Sequence, residues 1–214
     1  MLKAVIFDFD GVLADTMSYH ALAWQQTFAQ QRIKISRQDV LLAEGMPSRA
    51  MVQFFSTQGG KKLSPLTKRK LGAEKRRIIN DNFKLKIYKE IYPLIDLLKK
   101  QGLKLAVVTG SDKKFVQPII QKEFFQIFQV VISGDDVRYS KPSPAPYRLA
   151  LKKLNVKSSE ALVIENSPLG IKSAKSAKIK TFALATTLNK KYLKQADKIF
   201  SDHKELLKYL KSNP

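Results

Sequence analysis

The stretch Lys3-Ala4-Val5-Ile6-Phe7-Asp8-Phe9-Asp10-Gly11 decides the fold. Its apolar residues from Ala4 to Phe7 read as a short buried strand, and the strand ends in acid. Two carboxylates, Asp8 and Asp10, stand two residues apart at its carboxyl end, followed by a glycine. Downstream, Ala21, Trp24 and Phe28 recur at near-helical spacing, so residues 18–31 read as a helix. From there to about residue 87 the pattern is helical and offers no convincing strand, with Gly59-Gly60 as a break and a highly charged helical segment from Leu66 to Lys86. After that the period changes. A helix over 90–101 stops at Gly102, and Leu103 to Thr109 is a second buried strand. A helix starts near Lys113, followed by a strand at Val130-Val131-Ile132 and a helix over 145–154. A strand from Ala161 to Glu165, a helix over 169–176, a strand from Lys180 to Leu184, a short strand at Ile199-Phe200 and a helix over 203–211 complete the chain.

Repeated strand-then-helix units imply an α/β fold, a doubly wound parallel sheet with helices on both faces. Residues 1–14 and 88–214 are expected to form this core domain, and residues 15–87 an inserted helical cap domain. The length of 214 residues suits that arrangement, and a hydrophobic content of 44% supports a real core. No apolar run approaches the roughly 20 residues of a membrane helix. The N-terminus reaches Asp8 too soon for a secretory signal, and there is no cysteine, hence no disulfide framework, thiolate metal site or cysteine nucleophile. A soluble, cytoplasmic protein without a membrane partner is expected, as a monomer or homodimer. The net charge of +21 comes mostly from lysines spread along the chain. They are not interleaved with aromatics as in a nucleic-acid platform, so they read as a solvated surface, and a nucleic-acid partner is not expected.

In an open parallel sheet, ligands sit at the carboxyl ends of the strands. Four polar clusters occupy those ends: Asp8-Phe9-Asp10-Gly11; Thr109-Gly110-Ser111-Asp112; Ser133-Gly134-Asp135-Asp136 with Lys141-Pro142 beyond it; and Glu165-Asn166-Ser167. A carboxylate such as Asp8 can attack phosphorus and form an aspartyl phosphate, while a second, Asp10, exchanges protons with the leaving group and the attacking water. Asp-x-Asp-Gly after a strand is equally a common turn. Magnesium takes oxygen ligands, which Asp8, the Asp10 carbonyl and Glu165 could supply, with Asn166 giving an amide oxygen or holding a metal-bound water. Glu165-Asn166 also reads as a helix N-cap. Thr109, Gly110 and Ser111 run from a strand into a helix N-terminus, where anions bind. Lys141 could neutralise charge that develops in phosphoryl transfer, although a single lysine in this chain is ordinarily just solvated. Asp136 reads as a loop acid.

Taken together, these segments resemble the haloacid-dehalogenase-like superfamily, in the group similar to β-phosphoglucomutase and sugar-phosphate phosphatases. The resemblance runs from Asp8 to Thr16, through Thr109-Gly110-Ser111 and Lys141-Pro142, to Glu165-Asn166-Ser167-Pro168-Leu169-Gly170. It implies that Asp8 is the nucleophile and Asp10 the general acid/base, that Thr109 and Lys141 bind the transferring phosphoryl group, and that Asp8, Asp10 and Glu165 hold Mg2+. Many relatives carry Glu-Asp where this chain has Glu165-Asn166, which implies weaker metal affinity or a shifted metal preference rather than loss of activity.

The helical insertion resembles the family's cap, which chooses the substrate. Tyr19-His20 with Trp24 is similar to a mutase's first cap helix, and Glu44-Gly45-Met46-Pro47-Ser48-Arg49 to its substrate loop. His20, Gly45, Ser48, Arg49, Lys75 and Arg76 are therefore candidate substrate contacts, each with the alternative of a plain surface residue. The implied activity is Mg-dependent hydrolysis of a small phosphorylated metabolite, with a hexose-phosphate mutase as the near alternative. A basic nucleic-acid-binding protein on the same fold is the alternative of another class.

Overall fold

Six apolar runs become six strands, all parallel: β1 (Ala4–Phe7), β2 (Lys104–Val108), β3 (Val130–Ile132), β4 (Ala161–Glu165), β5 (Lys180–Leu184) and β6 (Lys198–Phe200). The computed structural model describes residues 1–120 and 123–213, and places the strands in the order β3-β2-β1-β4-β5-β6. The helices are α1 (Met17–Ala29), α2 (Arg37–Leu42), α3 (Ser48–Gln58), α4 (Pro65–Asn82), α5 (Ile91–Lys100), α6 (Lys113–Ile120), α7 (Ala145–Leu154), α8 (Pro168–Ser176) and α9 (His203–Ser212).

Successive side chains of a strand point to opposite faces, and each face here has its own core. Val5, Phe7, Leu105, Val107, Leu162 and Ile164 pack with Ile91, Leu94 and Leu98 of α5 and Leu206 of α9. Ala4, Ile6, Ala106, Val108, Ala161 and Val163 face Tyr147, Ala150 and Leu154 of α7 and Ala174 of α8. Both faces are covered, which is why the strands are continuously apolar rather than alternating. Leu94 and Leu206 are fully buried, and truncating either to alanine would cost about 2–5 kcal/mol.

Between β1 and β2 the chain builds a separate helical core from Ala21, Trp24 and Phe28 of α1, Val52 and Phe55 of α3, and Leu71 of α4. Trp24 stacks on Phe28, with ring centroids 5.5 Å apart. Gly59-Gly60 ends α3 as expected, with Gly60 at φ +66.

One expectation fails. The charged segment was expected to stay helical to Lys86, but α4 ends at Asn82, whose side-chain amide donates to the Ile78 carbonyl at 2.8 Å. The chain then runs extended beside the outgoing segment: Asp15 N donates to Lys86 O at 2.8 Å and Tyr88 N to Leu13 O at 3.1 Å. Phe83, Leu85 and Ile87 pack against the core from this stretch. Their spacing of two is the strand signal that helix-favouring composition masked.

Candidate active site

The strand order reverses at β1, which lies between β2 and β4. A doubly wound sheet opens a crevice at the carboxyl ends of the strands at such a point. Asp8, Thr109 and Glu165-Asn166 leave three adjacent strands there, so residues about 100 positions or more apart in sequence become neighbours.

Lys141 is the hub of the buried layer. Its Nζ donates to Asp8 Oδ1 at 2.5 Å and to Glu165 Oε1 at 2.7 Å. Burial works against the ammonium charge, but Asp8 and Glu165 outweigh it and hold the Lys141 pKa well above the ordinary lysine value. Tyr147 of α7 donates its hydroxyl to the same Glu165 oxygen at 3.0 Å. Glu165 Oε2 accepts from Asn166 N at 2.8 Å, Ser167 N at 2.9 Å and Ser167 Oγ at 3.1 Å. Both Glu165 oxygens are therefore engaged. Gly170 is essential to this packing, because a Cβ there would fall 1.7 Å from Glu165 Oε1. Burial pushes the Asp8 carboxyl well above its usual range, Lys141 opposes the shift, and Glu165 and Asp10 add to it. Asp8 Oδ2 is buried and has no hydrogen-bond partner.

Asp10 is differently held. Thr16 Oγ1 donates to Oδ1 at 2.5 Å, and Ser111 Oγ and Thr109 Oγ1 donate to Oδ2 at 2.9 and 3.3 Å. His20 Nε2 lies 3.3 Å from Oδ1, within ion-pair reach but without a well-aligned hydrogen bond. Burial pushes Asp10 upward, yet a charged His20 and the hydrogen bonds together hold it well below the carboxylate range. His20 itself is pushed down by burial first and then by Lys75, whose Nζ sits 3.2 Å from its Nδ1. The neutral imidazole is thus favoured near neutral pH, and the hydroxyls of Thr16 and Ser111 are the firmer reason that Asp10 stays ionised. Lys75 is pushed down to about 8, chiefly by burial, with Asp10 and Asp112 opposing.

Above these residues lies a cavity of about 240 Å³. Asp8, Asp10, Gly110 and Ser111 line its floor, and His20, Gly45, Ser48, Lys75 and Arg76 come to it from the helical insertion. Thr109, Lys141, Glu165 and Asn166 are buried and do not line it. Arg49 is exposed and lies outside the cavity lining, because it follows Ser48 onto the outer side of α3. Asp136 closes a capping box with Ser133, its Oδ2 accepting from Ser133 N at 2.8 Å and Oγ at 2.7 Å, the structural role expected of a loop acid.

Three contributors were not singled out from the sequence. Thr16 lay within the quoted Asp8-to-Thr16 segment, and its hydroxyl was the available signal. Glu44, buried beside Gly45, hydrogen-bonds Asn166. Tyr147 carried no signal, since an aromatic residue in an amphipathic helix reads as core.

Can these residues hold magnesium? Asp8 Oδ2 and Asn166 Oδ1 are buried oxygens without partners, in a pocket where Asp8, Asp10, Glu44 and Glu165 crowd together. That is the donor chemistry and charge excess that a hard cation satisfies. Among the described residues no three carboxylate or imidazole groups are arranged as a self-sufficient metal cage. A magnesium shell built mainly from water and phosphate oxygens is compatible with such a sparse donor set.

Comparison with known proteins shows the family. Residues 5–184 match the family model of haloacid dehalogenase-like hydrolases. Protein CbbY of Rhodobacter capsulatus is 32% identical over 188 residues, covering 82% of each chain. A phosphorylated carbohydrates phosphatase of Thermotoga maritima is 29% identical over 192 residues, 88% of each. A solved structure from Bacteroides vulgatus, described as a candidate β-phosphoglucomutase, superposes with a TM-score of 0.90 at 32% identity, covering 99% of this chain and 88% of that one. The chain belongs to the haloacid dehalogenase-like hydrolases. Within that family it is a phosphoester hydrolase or phosphotransferase with a β-phosphoglucomutase-like fold. No helix among the described residues is long and apolar enough to cross a membrane.

Proposed function

We propose that this chain is a magnesium-dependent phosphatase that hydrolyses a small phosphorylated metabolite, a sugar phosphate, through an aspartyl phosphate on Asp8. The observation that carries the reading is the state of Asp8. It lines the cavity, one oxygen is anchored by Lys141, and the other is buried and unpaired. A carboxylate so fixed is oriented for attack, and Lys141 stands ready to offset the charge of the transferring group. Relatives named as phosphatases of phosphorylated carbohydrates and of fructose 1-phosphate support the substrate class.

In the first step an Asp8 oxygen attacks phosphorus, the ester P–O bond breaks, and the leaving oxygen takes a proton from Asp10. In the second, water gives a proton to Asp10 and attacks the phosphoenzyme. The P–O bond to Asp8 breaks, and phosphate and the free carboxylate are released. With its present partners Asp10 is held ionised, the base form needed for the second step. The acid form requires that an arriving substrate phosphate displace some of those partners. Ser111, already on Asp10, and Gly110 beside it line the cavity and would meet the phosphate, while Thr109, buried beneath, bears on it through its hydrogen bond to Asp10. Magnesium would be held by Asp8, Asp10 and Asn166 with Glu165 contributing charge, and supplies electrostatic neutralisation of the phosphoryl oxygens. The helices between Asp15 and Ile87 act as the cap, carrying His20, Gly45, Ser48, Lys75 and Arg76 to the substrate.

A mutase shares these groups, and the direct approach of His20 from α1 to Asp10 favours it as the second reading, because a cap residue then governs the acid/base group. Phosphate release is to be measured with magnesium over a panel of sugar phosphates, for wild type and Asp8→Asn. Release by wild type alone supports the phosphatase and its nucleophile. No release, with interconversion of glucose 1- and 6-phosphates once glucose 1,6-bisphosphate is added, replaces it by the mutase.

A further inference from the structure

The side chain of Asn166 can be placed in two ways that differ by exchange of its oxygen and nitrogen, and its neighbours choose between them. Nδ2 faces the Glu44 carboxylate at 3.2 and 3.3 Å from its two oxygens, and Thr187 Oγ1 at 3.0 Å. Burial, then Asp8, Glu165 and Asp10, push the Glu44 carboxyl upward; against the ionised Glu44, the form that a cation bound nearby favours, a reversed amide would set its oxygen acceptor against acceptor. The choice leaves Oδ1 on the other side, fully buried and unpaired. A buried acceptor without a donor costs about 1–3 kcal/mol, so the arrangement persists because something holds it.

Glu44 precedes the glycine of the loop between α2 and α3, on the helical insertion, whereas Asn166 follows β4. The same loop rests on the phosphate-binding segments. A Cβ on Gly45 would come within 3.2 Å of Lys141 Cβ, and a Cβ on Gly110 within 3.1 Å of Gly45 O. Glu44 is therefore held over the site by packing on both sides, and one loop touches both the cavity and Asn166.

We infer that Glu44 is a positioning residue that fixes the Asn166 amide with Oδ1 free to ligate the divalent cation, and so joins the substrate loop to the metal site. The inference rests on the metal-dependent reading above. It also gives the Glu165-Asn166 pair a physical reason. An aspartate at 166 would set a carboxylate against Glu44, whereas asparagine offers Glu44 a donor and the cation an oxygen.

The test uses Mn2+ as a spectroscopic probe. Its dissociation constant is read by electron paramagnetic resonance, without substrate, for wild type, Glu44→Gln, Glu44→Ala and Glu44→Met. Thermal melts check folding, and Glu44→Met, which keeps chain length and packing but has no acceptor, serves if the alanine variant does not fold. Partners that orient a metal ligand are worth about 10–100-fold in metal affinity. Loss of the acceptor is expected to weaken Mn2+ at least about tenfold, while glutamine, whose amide oxygen accepts the same hydrogen bond, stays within about threefold of wild type. Unchanged affinity in the acceptor-less variants, or glutamine falling as far as methionine, overturns the inference while leaving the phosphatase reading intact. Failure of wild type to bind Mn2+ overturns the metal reading itself and this inference with it.

Discussion

His20 stands between Lys75 and Asp10, with Nδ1 3.2 Å from the ammonium and Nε2 3.3 Å from a carboxylate oxygen. The charge of Lys75 pushes the imidazole pKa down, on top of the larger effect of burial. Replacing Lys75 by methionine removes that repulsion and leaves the Asp10 attraction, so the His20 pKa rises. The chain has only two histidines, and His203 lies against Tyr88 and the Val12 carbonyl, so ring resonances in an NMR pH titration separate them. The expected result is an upward shift for His20 alone; an unmoved His20 would mean that Lys75 does not face it in solution.

Lys141→Met leaves Asp8 and Glu165 buried without their counter-ion. Removing one partner of a buried ion pair costs about 3–5 kcal/mol. Asp8 already has a folded pKa above its ordinary 3.8, so the folded state holds that proton more tightly and stability falls as pH rises from 3.8 through the raised value. The variant, lacking the ammonium, raises Asp8 further. Urea denaturation should therefore show the largest loss against wild type near neutral pH and a smaller one near pH 4. Turnover at neutral pH should drop by about 100-fold or more.

Gly110→Ala tests the seat of the loop between α2 and α3. Its new Cβ would meet Gly45 O at 3.1 Å and Gly45 Cα at 3.3 Å, backbone atoms that move only if the loop lifts. A lifted loop carries Gly45 and Ser48 away from the cavity floor. A rise in KM of a few fold is expected with little change in melting temperature, because contacts at 3.1 and 3.3 Å are relieved by a small shift and a full displacement of about 1 Å would be needed for a cost of about 100-fold. A variant with unchanged KM would show that the loop is not seated during turnover.

Tyr147→Phe removes one donor from Glu165 Oε1 and keeps the buried ring. Hydrogen bonds to charged groups are worth about 1.5–3 kcal/mol, and Lys141 still satisfies the same oxygen, so a loss near the lower end is expected. It should appear as a lower urea midpoint with an unchanged slope. Phosphate release should persist, because Tyr147 does not line the cavity.

Much of this protein was legible in the chain. Apolar runs such as Ala4–Phe7 and Ala161–Glu165 marked strands because both faces of the sheet are covered, so burial wrote itself into every position. Asp8, Thr109 and Glu165 were found by reading strand ends, since a parallel sheet directs all its carboxyl ends to one side. The end of α4 was missed because local charge favoured helix while pairing with residues 13–15 decided otherwise.

The sequence by itself determined the doubly wound architecture and the cluster of acidic and hydroxyl groups at its open edge, because periodicity and strand ends are local properties. Only the tertiary structure decided what each group does there. It joined Lys141 to Asp8 across 133 positions and set Glu44 against Asn166 across 122. It also placed neighbouring residues differently, Ser48 at the cavity and Arg49 outside it. Orientation of an amide, the ionisation of a buried carboxyl and the reach of a side chain depend on neighbours brought in from distant elements, and no local pattern records them.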